Sequence, residues 1–335
     1  MDRFSEEHFR NDDAARAWFE SMLWPEGPVC AHCGVVNHAY PTKRRGVYRC
    51  AEKECRKDFT VTMGTVMERS HIALHKWAQA FHLMCSSKKG VSAHQLHRTL
   101  DLTYRAAWFM AHRIRHAMRA GGLSAPLPPM GEGGGAVEAD ETFIGRIKGE
   151  KVRPGGHHKN AVLSLVDRET KQVRSFHIDA ADKVSITPII NRNLSEEAHL
   201  MTDQGKWYST VGKTVARHET VDHSEEEYVR YVNDPETGEE YAIHTNTLEG
   251  YFSLFKRGMK GIYQHCSEKH LHRYLAEFDF RYNNRSALGC EDGERAVRAV
   301  KSASGKRLTY RQPSSRVIPF RGNPVPPVAP QEEAP

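Results

Sequence analysis

Between Gly121 and Gly135 the chain carries six glycines and three prolines, Gly121-Gly122 at one end and Gly131-Glu132-Gly133-Gly134-Gly135 at the other. Such a run reads as a flexible linker that no regular element crosses. The apolar spacing also changes there. Before it, apolar residues recur at helical intervals. After it, they alternate as in strands. The chain is therefore multidomain, as 335 residues would lead one to expect.

The first half carries a second constraint. Four of the seven cysteines lie close together, in Cys30-Ala31-His32-Cys33-Gly34, in Tyr48-Arg49-Cys50 and at Cys55, while Cys85, Cys266 and Cys290 are scattered. Paired thiolates on either side of a strand-like segment form a zinc ribbon more readily than a disulfide framework. Cys30, Cys33, Cys50 and Cys55 are thus expected to hold one structural zinc. His32 and His38 are substitute ligands that the four thiols make unnecessary. Thr60-Val61-Thr62 would close the ribbon as a strand. Before it, residues 1 to about 24 read as an amphipathic helix contacting the core through Ala14, Trp18, Met22 and Leu23.

Three helices should follow. Ile72–Cys85 places Leu74, Trp77, Phe81 and Met84 on one face. Ser92 and Gln95 open a short helix through Leu100 with capping-box spacing. Thr103 caps a third from Tyr104 to about Arg119, with Ala107, Met110, Ile114 and Met118 inward and Arg105, His112, Arg115, His116 and Arg119 on the other side. A short turn before a basic third helix has helix-turn-helix form, and Arg105, Arg115 and Arg119 become the expected DNA contacts. The ordinary alternative is a helical bundle with a solvated basic face. Lys plus Arg exceed Asp plus Glu by 48 to 42, a mild excess that suits a polyanion partner without proving one.

Beyond the linker, strands are expected at Ala136–Ile144, Ala161–Asp167, Val173–Ile178, His199–Thr202 and Ala216–Val221, with helices at Ser185–Leu194 and Lys206–Val211. That succession makes an α/β sheet domain. Residues 222–243 are charged and read as an irregular excursion. A helix follows in His244-Thr245-Asn246-Thr247-Leu248-Glu249-Gly250-Tyr251-Phe252-Ser253-Leu254-Phe255-Lys256-Arg257, apolar at Leu248, Tyr251, Leu254 and Phe255 and polar at Asn246, Glu249, Ser253 and Lys256. Glu268–Asn284 forms another, with Leu271, Leu275, Phe278 and Tyr282 inward and Arg273, Arg281 and Arg285 outside. From about residue 312 the proline-rich sequence should be disordered.

Asp140 in the first strand, Asp203 at the end of the fourth and Glu249 on the helix can form a three-carboxylate metal site. Two hard cations about 4 Å apart activate an attacking oxygen and stabilise a leaving one in phosphodiester displacement. Asp140 would bridge the ions, Asp203 and Glu249 would each hold one, and Lys256 would meet a DNA phosphate with Arg257 beside it. Like charges crowd Asp140, which Glu138 and Glu141 flank. That argues for a counter-cation. Asp203 could otherwise be a helix cap before Gln204 and Gly205.

Several blocks resemble the DDE transposases of bacterial insertion sequences, in the ISXO-like group that carries an N-terminal zinc ribbon. They are Val137-Glu138-Ala139-Asp140-Glu141-Thr142-Phe143-Ile144-Gly145, Thr202-Asp203-Gln204-Gly205, His244 to Gly250, Lys256-Arg257-Gly258, His270-Leu271-His272-Arg273-Tyr274-Leu275 and Arg281-Tyr282-Asn283-Asn284-Arg285. The resemblance implies an α/β ribonuclease-H-like catalytic domain, strand cleavage and strand transfer with Mg2+ or Mn2+, and recognition of terminal inverted repeats. Members vary between Glu and Asn at the third acidic position, and Asn246 and Glu249 both stand nearby; Glu249 is chosen for its charge and for the face it shares with Lys256.

The expected organisation is an N-terminal helix and zinc ribbon (1–68), a helix-turn-helix-like DNA-binding region (69–120), the linker (121–135), the catalytic domain (136–290) and a C-terminal extension (291–335). The expected partners are double-stranded DNA, at transposon ends and targets, and further copies of the chain on that DNA. Without an apolar run of spanning length or a signal peptide, a cytoplasmic, nucleoid-associated protein is expected. Two other classes stay open: a domesticated DNA-binding protein without chemistry, and a ribonuclease-H-like nuclease that cuts without joining.

Overall fold

The computed structural model describes residues 4–121, 127–152, 156, 158–222, 228–233, 238 and 240–309. Helix α1 (Asp12–Leu23) starts where the Asn11 side chain accepts hydrogen bonds from the amides of Asp13 and Ala14. Its buried residues are Ala15 and Phe19, with Trp18, Met22 and Leu23 packed at the margin. Ala14, expected inward, lies outside that core. The apolar stripe is centred on Phe19 instead.

Strands β1 (Ala39–Pro41), β2 (Tyr48–Cys50) and β3 (Asp58–Phe59) form a small antiparallel sheet, pairing Ala39 with Cys50 and Tyr48 with Phe59. The closing strand is Asp58–Phe59, not Thr60–Thr62. The threonine hydroxyls bond one another, and Thr65 donates to the Thr62 carbonyl, so local side-chain bonds turn the chain there.

Helices α2 (Leu74–Ser86), α3 (Ala93–Thr99) and α4 (Tyr104–Met118) stand where the sequence puts them. The Ser92 hydroxyl accepts from the Gln95 amide at 3.1 Å and that of Thr103 from the Ala106 amide at 3.2 Å. Trp77, Phe81, Leu96, Met110 and Ile114 make their shared core.

In the second half, β4 (Ala136–Ile144), β5 (Asn160–Asp167) and β6 (Val173–Ile178) form an antiparallel meander. After α5 (Lys183–Asn193), strand β7 (His199–Asp203) lies parallel to β4, and β8 (Arg217–Val221) lies parallel to β7. The order is β6-β5-β4-β7-β8, with β4 at the centre. Two short 3-10 turns, Lys206–Ser209 and Val211–Lys213, stand where one helix was expected. The segment read as irregular contains an antiparallel hairpin, β9 (Arg230–Asn233) and β10 (Glu240–Ile243).

Helix α6 (Asn246–Gly258) runs into a π-helical turn, Met259–Tyr263, and α7 (Glu268–Asn283) follows. Alternation splits the sheet residues between two cores. Val137, Ala139, Leu163 and Leu165 pack with Ile186 and Ile190 of α5, whereas Val162 and Val166 pack with α6 and α7. The even-numbered residues of β4, Glu138 and Asp140 among them, therefore face α6.

Two departures concern the joints between the parts. Helix α8 (Asp292–Lys301), unforeseen in the sequence, returns to the N-terminal core, where Ala296, Ala299 and Val300 join the helical cluster. Residues 127–135, expected to be loose, are fastened to the sheet domain. Met130 is buried and bridges to Leu194, and the Gly131 amide donates to Asp167. The expected disorder from about 312 lies outside the described residues.

Candidate metal centre and nucleic-acid interface

The four ribbon cysteines converge. Their sulfurs all lie within 4.8 Å of one another, with Cys30 Sγ to Cys55 Sγ at 3.7 Å and Cys33 Sγ to Cys50 Sγ at 3.6 Å. Tetrahedral zinc with bonds of about 2.3 Å requires sulfur–sulfur edges of about 3.8 Å, so the donor set fits a structural zinc. His32 is not needed: its Nε2 meets the Asp58 carbonyl. His38 is held by Glu52. Phe59, Tyr48 and Trp24 cover the knot.

The carboxylates come from three elements. Parallel pairing of β4 with β7 sets Ala136 opposite His199 and Glu138 opposite Met201. Two residues on, the same register puts Asp140 and Asp203 side by side. Burial first, and then the neighbouring Asp203 and Glu249 carboxylates, push the Asp140 carboxyl up to about 7, while Lys256 opposes the rise. Asp140 accepts from the Glu141 amide at 2.7 Å and Asp203 from the Gly205 amide at 3.0 Å. Glu249 lies in the first turn of α6. It lines an open cleft of about 790 Å3 with Asp140, Glu141, Lys256, Arg257 and Lys260. Burial lowers the pKa of Lys256, and Asp140 counters that fall. Asn246 is exposed and, like Asp203, absent from that wall; its backbone amide donates to His244 Nδ1.

The acid-rich walls and basic rim can hold divalent cations on one side and a polyanion on the other. Among the described residues the four cysteines form the one group whose ligand atoms all lie within 4.8 Å of one another; the three carboxylates do not converge in that way.

Sequence reasoning missed what aims α6 at Asp140. Helix α6 has no capping side chain of its own. Glu138, fully buried two residues before Asp140, accepts from the Leu248 amide at 3.0 Å and from the Thr247 hydroxyl at 2.7 Å. A carboxylate on β4 thus caps the helix that carries Glu249. Its countercharge is Arg168, whose Nε donates to Glu138 at 2.8 Å while its other two nitrogens hold the carbonyls of Ala242 and His244. Glu141 is served differently, by Trp207 Nε1 at 3.1 Å and by the Tyr208 hydroxyl. Burial, Asp140 and Asp203 push its carboxyl up to about 8. The crowding of acids is real, and protein groups answer it for two of the three.

The expected DNA contacts separate. Arg105 is exposed at the start of α4 and Arg119 just beyond its end, roughly 20 Å apart along a helix of this rise. Arg115 is not a surface residue. It is 2% exposed and paired with Glu277 of α7 at 2.6 Å. His112 is buried beside it, and Arg281, expected outside α7, is buried on the same carboxylate. At His112 and Arg115 the side of α4 expected to meet DNA is an interior contact, while Arg105 and Arg119 keep it exposed at its two ends.

Residues 133–283 match the family model of an ISXO2-like transposase domain, and residues 10–58 match that of a transposase zinc-ribbon domain. Together the two matches span more than half of the chain. An uncharacterized protein in transposable element ISH50 of Halobacterium salinarum is 28% identical over 293 residues, covering 82% of this chain and 91% of that protein. A chain in the cryo-electron microscopy structure of a simian T-cell lymphotropic virus intasome, in complex with PP2A regulatory subunit B56 gamma, matches at 17% identity. It covers 55% of this chain and 67% of its own, with a TM-score of 0.26. Among the described residues no helix is long and apolar enough to cross a membrane.

Proposed function

The chain belongs to the IS1595 family of DDE transposases with an N-terminal zinc ribbon, and from that premise we propose that it binds the terminal inverted repeats of its element, cuts their strands and joins them to target DNA. The single observation that carries the reading is Asp140 next to Asp203 on adjacent parallel strands, with Glu249 of α6 sharing a basic-rimmed cleft with Asp140. The strand order, three antiparallel strands followed by two parallel ones, supports a ribonuclease-H-like catalytic domain.

Asp140, Asp203 and Glu249 would hold two Mg2+ or Mn2+ ions, which supply Lewis-acid activation of the attacking oxygen and charge stabilisation of the leaving one. The chain's own residues do the rest. Lys256, Lys260 and Arg257 draw the phosphate backbone into the cleft and neutralise it there. Glu138 and Arg168 fix the angle of α6. None of the three carboxylates needs to accept a proton from the nucleophile. Asn246, outside the cleft wall, is a secondary influence through the start of α6. Exposed Arg105 and Arg119 are proposed phosphate contacts, and the zinc ribbon adds a second DNA-reading module. Work at both ends of an element calls for more than one copy of the chain on DNA, in the cytoplasm where the nucleoid lies.

The test is a labelled duplex carrying the inverted repeat that flanks the gene, incubated with a supercoiled target and Mg2+. Cleavage at the repeat's end and a joined product are expected. Hydrolysis that never yields a joined product would reduce the enzyme to a nuclease. Binding with no metal-dependent cutting would leave a domesticated DNA-binding protein.

A further inference from the structure

One buried carboxylate joins three helices. Arg115 of α4 donates from Nε to Glu277 Oε2 at 2.6 Å, and Glu277 is fully buried. The flat guanidinium lies over Tyr274, 4.2 Å from its ring centroid, and 5.1 Å from that of Tyr263. Tyr263 ends the π-helical turn after α6, and its hydroxyl donates to Glu277 Oε1 at 2.6 Å. Arg281, one turn further along α7, pairs with that same oxygen.

The backbone is equally close here. Gly90, between α2 and α3, sits at φ 98°, with the Tyr263 hydroxyl where a Cβ would be. A Cβ on Gly258 would meet Phe278 and the Lys89 carbonyl.

Charge does not balance at this junction. Two guanidinium groups share one carboxylate, and Nε and Nη2 of Arg281, which stacks over Phe278, are buried without a hydrogen-bond partner. Removing Arg115 would leave a matched Glu277–Arg281 pair within a single helix. A contact kept for stability alone would shed the surplus cation, because apolar side chains of similar size hold such junctions as well or better. A guanidinium gripped between a carboxylate and two rings does something apolar packing does not: it permits one orientation.

We propose that Arg115 is a positioning residue for strand cleavage: by clamping α4 to α7 and to the turn that ends α6, it fixes the distance from DNA held by the N-terminal region to the carboxylate cleft, and so selects which phosphate is cut. This rests on the transposase reading above. A misplacement of about 1 Å can cost on the order of 100-fold in rate, so a small slip at the clamp is enough to move the cut.

The experiment maps cleavage of the end-labelled repeat duplex, at single-nucleotide resolution, for the parent, Arg115→Met and Arg115→Lys. Binding of the same duplex and Mn2+-supported nicking of unrelated supercoiled DNA are measured alongside. For Arg115→Met, cleavage at the parental phosphate should fall roughly 10- to 100-fold. New cuts should appear at neighbouring phosphates, while binding and unspecific nicking hold. Arg115→Lys, which keeps the charge but loses the fork and the stacking, should fall between.

Parental position at the parental rate in Arg115→Met overturns the proposal. So does a parallel loss of binding, nicking and cleavage in folded protein, which is what a merely structural role predicts. If Arg115→Met does not fold, Arg115→Lys decides on the same map: displaced cuts support the clamp and undisplaced cuts refute it. A parent that never cuts the repeat refutes the transposase reading itself, and the clamp with it, before any variant is scored.

Discussion

The thiol knot and the carboxylate cleft are both clusters of acidic side chains, yet they are assembled in opposite ways. Cys30 and Cys55 are 25 residues apart, and the four sulfurs close on one another within 4.8 Å under a lid of aromatic rings. The acids arrive from β4, β7 and α6, and a contact 110 residues long, from Glu138 to Leu248, sets their relative angle. A local cage leaves no open position and suits a metal that holds shape; a cleft drawn from distant elements leaves room for substrate. Each can fail without the other.

The sharpest separation of the two comes from the acids. Replacing Asp140, Asp203 or Glu249 singly by the amide should lower cleavage by on the order of 1,000-fold while DNA binding holds or tightens, since an anionic repulsion is removed. Asn246→Ala is the control and should cost far less. An Asn246→Ala enzyme that is dead beside an active Glu249→Gln would move the third ligand to Asn246.

On the other side of the comparison, Cys33→Ser or zinc chelation should unfold the ribbon alone. Zinc content should drop to zero and proteolysis should open residues 28–60, while α/β circular dichroism persists, because ligand binding supplies the ribbon's folding energy locally. Loss of the sheet domain's signal at the same zinc concentration would show that the regions are not independent.

Glu138→Gln tests whether the cleft depends on remote support. With cleavage assayed across a Mg2+ series, loosening the start of α6 and with it Glu249 should raise the metal requirement up to roughly 10-fold, the low end of what loss of support behind a metal ligand costs. An unchanged requirement would assign Glu138 to folding only.

The smallest effect is on pH. Asp140 in the metal-free cleft holds its proton up to about 7. A cation must displace that proton, so the apparent Mg2+ affinity should rise about fivefold from pH 6 to 7, about twofold more from pH 7 to 8, and level off above. The sign for stability is the reverse. A carboxyl raised above its ordinary value of 3.8 contributes stability that is lost as pH climbs through about 7. Calorimetric Mg2+ titration at pH 6, 7 and 8 measures the first effect, and a flat profile would mean that Asp140 ionises without help.

What the residues disclosed depended on whether their partners were local. Paired cysteines and the Ser92 and Thr103 caps state their roles within a few positions. So does the apolar stripe of α6, except that Phe252, not Leu254, is buried with Leu248, Tyr251 and Phe255. Arg115 and Arg281 do not, because a charged residue on a helix reads as solvated until its buried partner is known, and here that partner is Glu277. Glu138 was counted among crowded acids because Arg168 and the start of α6 lie far along the chain. The β9–β10 hairpin was masked by its polar composition: of its strand residues Ile243 alone is fully buried, with Val232 and Tyr241 beside it. Asp140, Asp203 and Glu249 were proposed from the sequence as site residues on three separate elements. Their proximity is a property of the sheet register.

The return of α8 to the N-terminal helices sets a timetable for the nascent chain. The Arg295 guanidinium donates to the Cys85 carbonyl across 210 residues. At about 5–20 residues per second, roughly 10–40 s of synthesis pass between those two positions. Throughout that interval α2 presents to the ribosome's surroundings an apolar flank whose cover has not yet been made. The helical core is completed only after the sheet domain has emerged, so a ribosome that stalls before α8 releases a chain with its first-made helices still unsealed.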